Sequence, residues 1–289
     1  GKASTMYELI EPVRCRCGSD VVVKIFENQW FIDYGDPDWK ALAHENLGEM
    51  EIIPRELRQE YTHVIDWLDR KACARNVGLG TRLPWAPDWT IEALSDSTIY
   101  MAYYTVVRSL HRLRPDPDAL SERFWDYVFL GEGAPEAVSE ATGIPAEELE
   151  KMRGEFTYFY PLDARHSGRD LIPNHLTFMI FNHDAVWPRE YWPRGIVVNG
   201  SVLMEGQKMS KSLNNIIPLA NAIDSFGADP LRLALMITAE PLKDADFSPE
   251  LARSMADGLE RFYAAAMEAV SYPAGKDIEL TEIDQWMLS

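Results

Sequence analysis

The second half of the sequence alternates short apolar runs that suit strands with amphipathic stretches that suit helices. From Tyr160 onward, a predicted strand at residues 164–167 precedes a predicted helix at residues 171–182, and another apolar run begins at Val197. Parallel strands need long crossover connections, which are usually helices, so this alternation predicts a parallel α/β sheet. In such a sheet, ligands bind where strands end and helices begin. We therefore predict an α/β fold with a ligand site near residues 168–170.

Turn and cap residues predict the rest of this half. The Asn199-Gly200 pair lies between apolar residues, and Asn-Gly favours a two-residue turn, so a β-hairpin is predicted over residues 197–203. Glycine commonly ends a helix, and proline is favourable in a first helical turn. These signals predict three further helices, at residues 218–226, 231–239 and 249–271.

The first half is predicted to combine a small β-containing segment with a mainly helical insertion. Strands are expected at residues 21–26 and 29–32, which are rich in β-branched and aromatic side chains. Asp36 followed by Pro37 predicts the start of a helix. Residues 96–158 are predicted to be mainly helical, with Asp96 or Ser97 as the cap of the first long helix there.

Composition indicates a globular chain in a reducing compartment. Of the 289 residues, 46% are hydrophobic and 26% are charged, and no run of about 18 apolar residues suggests a membrane span. The N-terminus shows no secretory signal, so the cytoplasm is the expected location. Three cysteines cannot all pair. The net charge of −18 is weak evidence against a nucleic-acid partner, because a local basic groove can coexist with an acidic exterior.

Cys15 and Cys17 are weak candidates for a zinc site. Two thiolates on one turn could supply half of a tetrahedral zinc site, but the sequence has no second cysteine pair, and its histidines are too dispersed to complete the set. The interpretation favoured here is a metal-free turn, with zinc as the weaker alternative.

The pentad at residues 208–212, Lys-Met-Ser-Lys-Ser, carries the clearest functional signal. It places two ammonium groups three positions apart among small polar residues. Such a pair can follow negative charge as it develops on a leaving pyrophosphate. A solvated lysine loop is the alternative interpretation of the spacing alone.

The pentad and several other segments resemble the leucyl-tRNA synthetases of archaeal and eukaryotic type, which are class I aminoacyl-tRNA synthetases. The resemblance covers nearly the whole chain. Its segments occur in the family's order at residues 29–31, 66–67, 78–81, 95–104, 165–176, 206–212 and 227–232. The segments at 95–104 and 168–176 look specific for leucine enzymes, whereas several class I synthetases share the pentad.

The resemblance implies the second half of a Rossmann-like nucleotide-binding domain with a helical insertion and a C-terminal helical connective segment. The implied parts are residues 1–95, the first part of this catalytic-domain half; 96–158, the insertion; 159–240, the Rossmann-like half with the pentad; and 241–289, the connective segment. It also implies ATP with Mg²⁺, leucine and leucine tRNA as ligands. The whole chain would then ligate leucine to tRNA through leucyl-adenylate.

Residue roles follow from the same resemblance. Lys208 and Lys211 would neutralise the departing pyrophosphate, and Met209 and Ser210 would contribute backbone groups near the adenosine. Lys211 would also contact ATP directly.

Three more residues are candidates at the carboxyl end of the predicted strand. Gly168 would let the ribose of ATP approach, and Asp170 would accept hydrogen bonds from its hydroxyls. Asp170 could equally be a helix N-cap. His175 is a candidate for the leucine pocket, with a satisfied core histidine as the alternative.

Departures from the family pattern limit this interpretation. The sequence contains no His-x-Gly-His motif and no threonine-rich editing segment. We therefore expect an internal fragment that is inactive alone, with partners in the half carrying His-x-Gly-His, the editing domain and the anticodon-binding domain. A non-catalytic module that binds tRNA or a partner protein is the alternative.

Overall fold

The computed structural model describes residues 7–15, 17–23, 25, 28–209, 215–240, 243–271 and 281–288. The chain forms two compact units. The first comprises residues 1–51, 57–164 and 172–195, and the second comprises residues 52–56, 165–171 and 196–289. The predicted four-part division of the chain stays a prediction.

The first part of the chain, through residue 159, contains six strands and seven α-helices among the described residues. In chain order they are β1 (Phe31–Asp33), α1 (Pro37–Glu49), β2 (Glu51–Ile53), α2 (Arg58–Trp67), β3 (Arg70–Ala72), β4 (Ala74–Arg75), β5 (Arg82–Leu83), β6 (Ala86–Ile91), α3 (Ala93–Asp96), α4 (Tyr100–Leu113), α5 (Glu122–Trp125), α6 (Pro135–Thr142) and α7 (Ala146–Phe159). A π-helical turn, Asp126–Leu130, follows α5 directly.

The remaining described residues contain five strands and five α-helices. They are β7 (Arg165–Gly168), α8 (Thr177–Val186), β8 (Gly195–Asn199), β9 (Val202–Met204), β10 (Gln207–Lys208), α9 (Leu219–Phe226), α10 (Ala228–Thr238), β11 (Ala245–Phe247), α11 (Pro249–Ser271) and α12 (Glu282–Leu288). The three helices predicted after residue 217 are therefore confirmed, with shifts of a few residues at their ends.

In the first unit, α1 packs against α8. The predicted helix start is confirmed, since the Asp36 carboxylate accepts a hydrogen bond from the Trp39 amide at 2.9 Å and Pro37 opens α1. The Trp39 indole donates to the Phe181 carbonyl at 2.7 Å, and the Asn46 amide donates to the Asp184 carboxyl at 2.6 Å. Side chains from α1 thus fix the orientation of α8.

Residues 96–158 are mainly helical, as predicted. The predicted N-cap of the first long helix in this segment is wrong. Helices α4, α5, α6 and α7 bury a common apolar core that includes Val106, Phe124 and Leu149. Neither Asp96 nor Ser97 caps α4, because α3 ends at Asp96 and Ile99 is the N-cap of α4, with no side-chain hydrogen bond. The cap prediction was wrong because a separate short helix occupies these residues.

The predicted strand at residues 21–26 does not form in the described part of that segment. Val22 is 79% exposed and Ile25 is 69% exposed, and only an isolated bridge between Arg14 and Asp20 joins the neighbouring chain. Among the described residues, the β-branched side chains of this run stay exposed, so their intrinsic preference is insufficient to form a strand.

In the second unit, two three-stranded sheets each contain a parallel pair of strands. One has the order β2-β8-β7, with β7 and β8 parallel, and the other has the order β10-β9-β11, with β9 and β11 parallel. The predicted α/β class is confirmed. An apolar cluster that includes Leu231, Phe247 and Ala252 forms the core of this unit.

The prediction of a hairpin at Asn199-Gly200 is wrong, because β8 and β9 belong to different sheets. Gly200 instead packs so closely that an added Cβ would lie 2.5 Å from the Lys243 carbonyl oxygen. The Asp244 carboxylate also accepts the Ser201 amide at 2.6 Å. A two-residue turn does occur one step later, between β9 and β10, where Glu205 and Gly206 both have positive φ.

Candidate functional site

Gly168 and Asp170 lie together at the carboxyl end of β7. β7 runs parallel to β8 and ends at Gly168, and Asp170 follows in a single 3₁₀ turn, Arg169–Leu171. A Cβ added at Gly168 would lie 2.7 Å from the Asp170 Oδ1. The missing side chain is therefore what allows the exposed carboxylate to occupy the end of the strand, where open α/β sheets bind ligands.

Asp170 also precedes a continuous helical stretch, because the π-helical turn Ile172–Leu176 runs directly into α8. Asp170 takes part in interactions within the protein. Its two predicted roles, a ribose contact and a helix N-cap, both stay predictions.

Only part of the lysine pentad lies within the described residues. Lys208 ends β10 and is exposed, its carbonyl accepts a hydrogen bond from the Asn215 side chain at 3.1 Å, and Met209 is half-buried. Ser210 and Lys211 lie outside the described residues. The turn that leads into β10 is held by β11, because the Asp246 carboxylate accepts the Gly206 amide at 2.8 Å.

His175 lies in a π-helical turn, Ile172–Leu176, of the first unit, immediately before α8. It is only 6% exposed, and its Nδ1 lies 3.5 Å from the Ser97 hydroxyl. The turn is held by the Thr177 hydroxyl, which donates to the Ile172 carbonyl at 2.6 Å. π-helical turns of this kind are frequent at functional sites.

Sequence reasoning treated Ser97 as a helix cap and missed its contact with His175. A usable signal was present. Ser97 belongs to the 95–104 segment and His175 to the 168–176 segment, the two stretches that looked specific for leucine enzymes. The structure brings these two segments together across 78 residues of sequence.

A cavity of about 230 Å³ lies in the same unit. Its wall includes Ser95, two residues before Ser97, and Phe178, three residues after His175. Tyr34 stacks on Phe178 with ring centroids 4.7 Å apart and an interplanar angle of 9°. Burial raises the pKa of Tyr34 to about 12, so its hydroxyl keeps its proton at neutral pH.

The other lining residues make the cavity amphipathic. Ile32 and Leu94 are apolar, whereas Lys71 and Glu92 bring opposite charges to the wall. One Glu92 carboxylate oxygen accepts the Leu94 amide at 2.7 Å. The lining thus combines two opposite charges with apolar side chains. None of these residues was nominated from the sequence, because their charges come from separate elements.

Cys15 and Cys17 form an exposed turn closed by backbone hydrogen bonds from Cys15 to Ser19 and from Gly18 to Cys15. Hydrogen bonding to Ser19 lowers the pKa of the Cys17 thiol to about 7. Among the residues that the structure describes, no group of three or more histidine, cysteine or acidic side chains is arranged to hold a metal ion. Over the same residues, no helix is both long and apolar enough to cross a membrane.

Comparison with known proteins shows that the chain is similar to tRNA synthetases. Residues 153–257 match the family model described as tRNA synthetases class I (M). The whole chain is 53% identical to a leucine–tRNA ligase of Pyrobaculum arsenaticum and 51% identical to a leucine–tRNA ligase 2 of Metallosphaera sedula. In both cases the match covers 100% of this chain and 30% of the relative. The chain thus spans about 30% of the length of these curated relatives.

The solved structures that resemble the chain support the same fold. A Mycobacterium tuberculosis methionyl-tRNA synthetase in complex with methionyl-adenylate matches with a TM-score of 0.59 at 19% identity. The match covers 94% of this chain and 47% of that one. At this identity the likeness shows a shared fold.

Proposed function

We propose that this chain, which is 53% identical over its whole length to a leucine–tRNA ligase and matches the class I tRNA synthetase model over residues 153–257, supplies part of the site where ATP activates leucine for transfer to tRNA. The observation that carries the proposal is the pairing of Gly168 with Asp170 at the carboxyl end of a parallel strand. That edge is where nucleotides bind in folds of this class.

The residues proposed to contact ATP belong to the second unit. Asp170 would accept hydrogen bonds from the ribose hydroxyls, and Gly168 leaves the space that a close ribose requires. Lys208, with Lys211, would face the polyphosphate, while Met209 and Ser210 would offer backbone groups near the adenosine. The chain offers no described cluster of ligands for Mg²⁺, so we assign no protein ligand to the ion that accompanies ATP.

The residues proposed to contact the amino acid belong to the first unit. The charges of Lys71 and Glu92 match the carboxylate and ammonium groups of a free amino acid, and Ile32 and Leu94 suit an aliphatic side chain. His175 and Ser97 would form a neighbouring wall. These features support leucine as the substrate, in agreement with the names of the curated relatives.

The proposed reaction has two balanced steps. A carboxylate oxygen of leucine attacks the α-phosphorus of ATP, the bond from that phosphorus to the bridging oxygen breaks, and pyrophosphate leaves with the electron pair. The oxygen of a terminal tRNA ribose hydroxyl then forms an ester bond with the carbonyl carbon, and the bond from that carbon to the phosphate oxygen breaks. AMP leaves with the electron pair, and the hydroxyl proton passes to the departing phosphate or to water. Chemistry of this kind depends on positioning and on stabilising developing charge more than on a protein nucleophile.

Two measurements test the proposal. The chain alone should show negligible leucine-dependent exchange of pyrophosphate into ATP, since it lacks His-x-Gly-His and charge stabilisation is needed on both sides of the triphosphate. A hybrid ligase, in which this chain replaces the homologous segment of the Pyrobaculum arsenaticum enzyme, should regain exchange. A folded hybrid that binds tRNA but shows no exchange would instead support a non-catalytic module.

A further inference from the structure

A polar network in the first unit joins the short segment before α4 to helix α8. The Asn182 side-chain amide donates to the Thr98 hydroxyl at 2.7 Å and lies 3.5 Å from the Tyr34 hydroxyl. The Thr98 hydroxyl in turn donates to the Ser95 carbonyl at 3.4 Å. Thr98 is fully buried, so its hydroxyl is satisfied only by these protein partners.

The network lies next to the amino-acid end of the proposed site. Ser97, the neighbour of Thr98, contacts the His175 ring. His175 and Asn182 belong to one continuous helical stretch, since the π-helical turn runs directly into α8. Ser95 and Tyr34 both line the 230 Å³ cavity. The bond between Asn182 and Thr98 therefore connects the two segments that face each other at this site.

The backbone bonds of the segment before α4 are local: the Ser97 amide donates to the Ala93 carbonyl at 3.2 Å and the Ile99 amide to the Asp96 carbonyl at 3.5 Å, so they join the segment to α3 and not to α8. α3 ends at Asp96, and α4 begins at Tyr100 without a side-chain cap on Ile99. The 2.7 Å bond from Asn182 is the contact that fixes the register of Thr98 against α8, and without it the buried hydroxyl would keep the longer bond to Ser95. This fixed register determines how far Ser97 lies from His175.

We propose that Asn182 is a positioning residue for recognition of the amino-acid side chain. Through Thr98 it holds Ser97 against His175. The spacing between these two side chains would set how much room a leucine side chain finds beside them. The assignment to leucine rests on the proposed function, whereas the effect on Ser97 and His175 does not.

A matched pair of substitutions separates this role from simple stability. Thr98→Val keeps the shape of the side chain but removes the hydroxyl, and Thr98→Ser keeps the hydroxyl. In this chain, ¹⁵N spectra of the imidazole of His175, assigned with His175→Gln, report its contact with Ser97. We expect Thr98→Val and Asn182→Ala to change these shifts and Thr98→Ser to leave them close to wild type.

In the hybrid ligase, Thr98→Val should raise the leucine KM about tenfold, since small displacements of a positioning group have large effects. It should also lower discrimination against isoleucine, with kcat and the ATP KM changed less than twofold, and Thr98→Ser should restore the leucine KM. Equal behaviour of Thr98→Val and Thr98→Ser, or a lower Tm with unchanged imidazole shifts, would overturn the inference. If the unsubstituted hybrid were inactive, the proposed function would fail, while the imidazole spectra would still decide the role of Asn182.

Discussion

The Asp170 carboxylate occupies the space that a side chain at Gly168 would need, with its Oδ1 2.7 Å from the position of an added Cβ. A glycine and an acid two residues apart thus form one structural unit at the end of β7. The glycine cannot be replaced without moving the acid. This dependence makes the proposed ribose contact testable by a change that leaves Asp170 itself intact.

Gly168→Ala in the hybrid ligase should raise the ATP KM, because the new methyl group displaces the Asp170 carboxylate. The leucine KM should change little. Gly154→Ala is the matched control, since a Cβ there meets nothing within 4 Å inside α7 and alanine favours a helix over glycine by about 1 kcal/mol. Exchange kinetics with ATP varied would show the difference, and an unchanged ATP KM would argue against a ribose contact at this edge.

Lys211→Ala should lower the rate of leucine-dependent exchange far more than it weakens leucine binding. The ammonium would interact most strongly with charge that appears as pyrophosphate leaves, and loss of one such donor typically costs about a hundred- to a thousand-fold in rate. Asp170→Ala should instead raise the ATP KM with a smaller effect on kcat, because ribose hydrogen bonds exist before and during reaction. A Lys211→Ala enzyme with normal kcat and a raised ATP KM would indicate ground-state binding only.

His175→Ala should alter the leucine KM and the discrimination between leucine and isoleucine or methionine, with ATP binding nearly intact. His175 is buried beside Ser97 in the unit that holds the amphipathic cavity, so its effect should be confined to the amino acid. His63→Ala, on the exposed surface of α2, is the control and should match the parent. Loss of stability with unchanged leucine kinetics would identify His175 as a core residue instead.

Asp184 should make the stability of the chain fall as the pH rises through neutrality. Burial raises the pKa of this carboxyl to about 8. The folded state therefore holds a proton that the unfolded chain releases near pH 4, so this contribution is complete below about pH 4 and is lost as the pH rises through 8. Asp184→Asn should flatten this dependence, since an amide can still accept the hydrogen bond from Asn46.

The neighbouring His183 makes the stability of the fold depend on pH in the opposite direction. It therefore sets the lower limit of the pH range in which Asp184 can be measured. Burial lowers its pKa to about 4, so it destabilises the fold only as the pH falls below about 6.5. Urea unfolding at pH 6.5 and 8.5 is therefore compared between the parent and Asp184→Asn, and the difference in slope reports Asp184, because the Cys17 thiol, whose pKa is lowered to about 7, titrates in both proteins. The control Asp88→Asn, at an exposed position, should keep the parent slope. An equal slope in Asp184→Asn and the parent would contradict the proton assignment.

Local signals in the sequence were enough for most helices. Asp36 and Pro37 start α1 through bonds that lie within three residues, and Pro249 starts α11 as predicted. The parallel pairing of β7 with β8 followed from the helical connection between them. Such features depend on neighbouring residues or on chain connectivity, so they can be inferred without knowledge of the rest of the fold.

Long-range packing decided the features that sequence reasoning missed. Asn199-Gly200 has the composition of a hairpin turn, but contacts with Lys243 and Asp244 direct the chain into a second sheet. Val21, Val22, Val23 and Ile25 have strand propensity, but their side chains are exposed and no strand forms in the described part of this segment.

The sequence by itself determined the class of fold, the family and the residues at the end of β7. Only the tertiary structure placed Ser97 against His175 and brought Lys71 and Glu92 to one cavity. The physical reason is that a contact between segments 78 residues apart depends on how every intervening element packs, and neither residue carries a local signal of its partner.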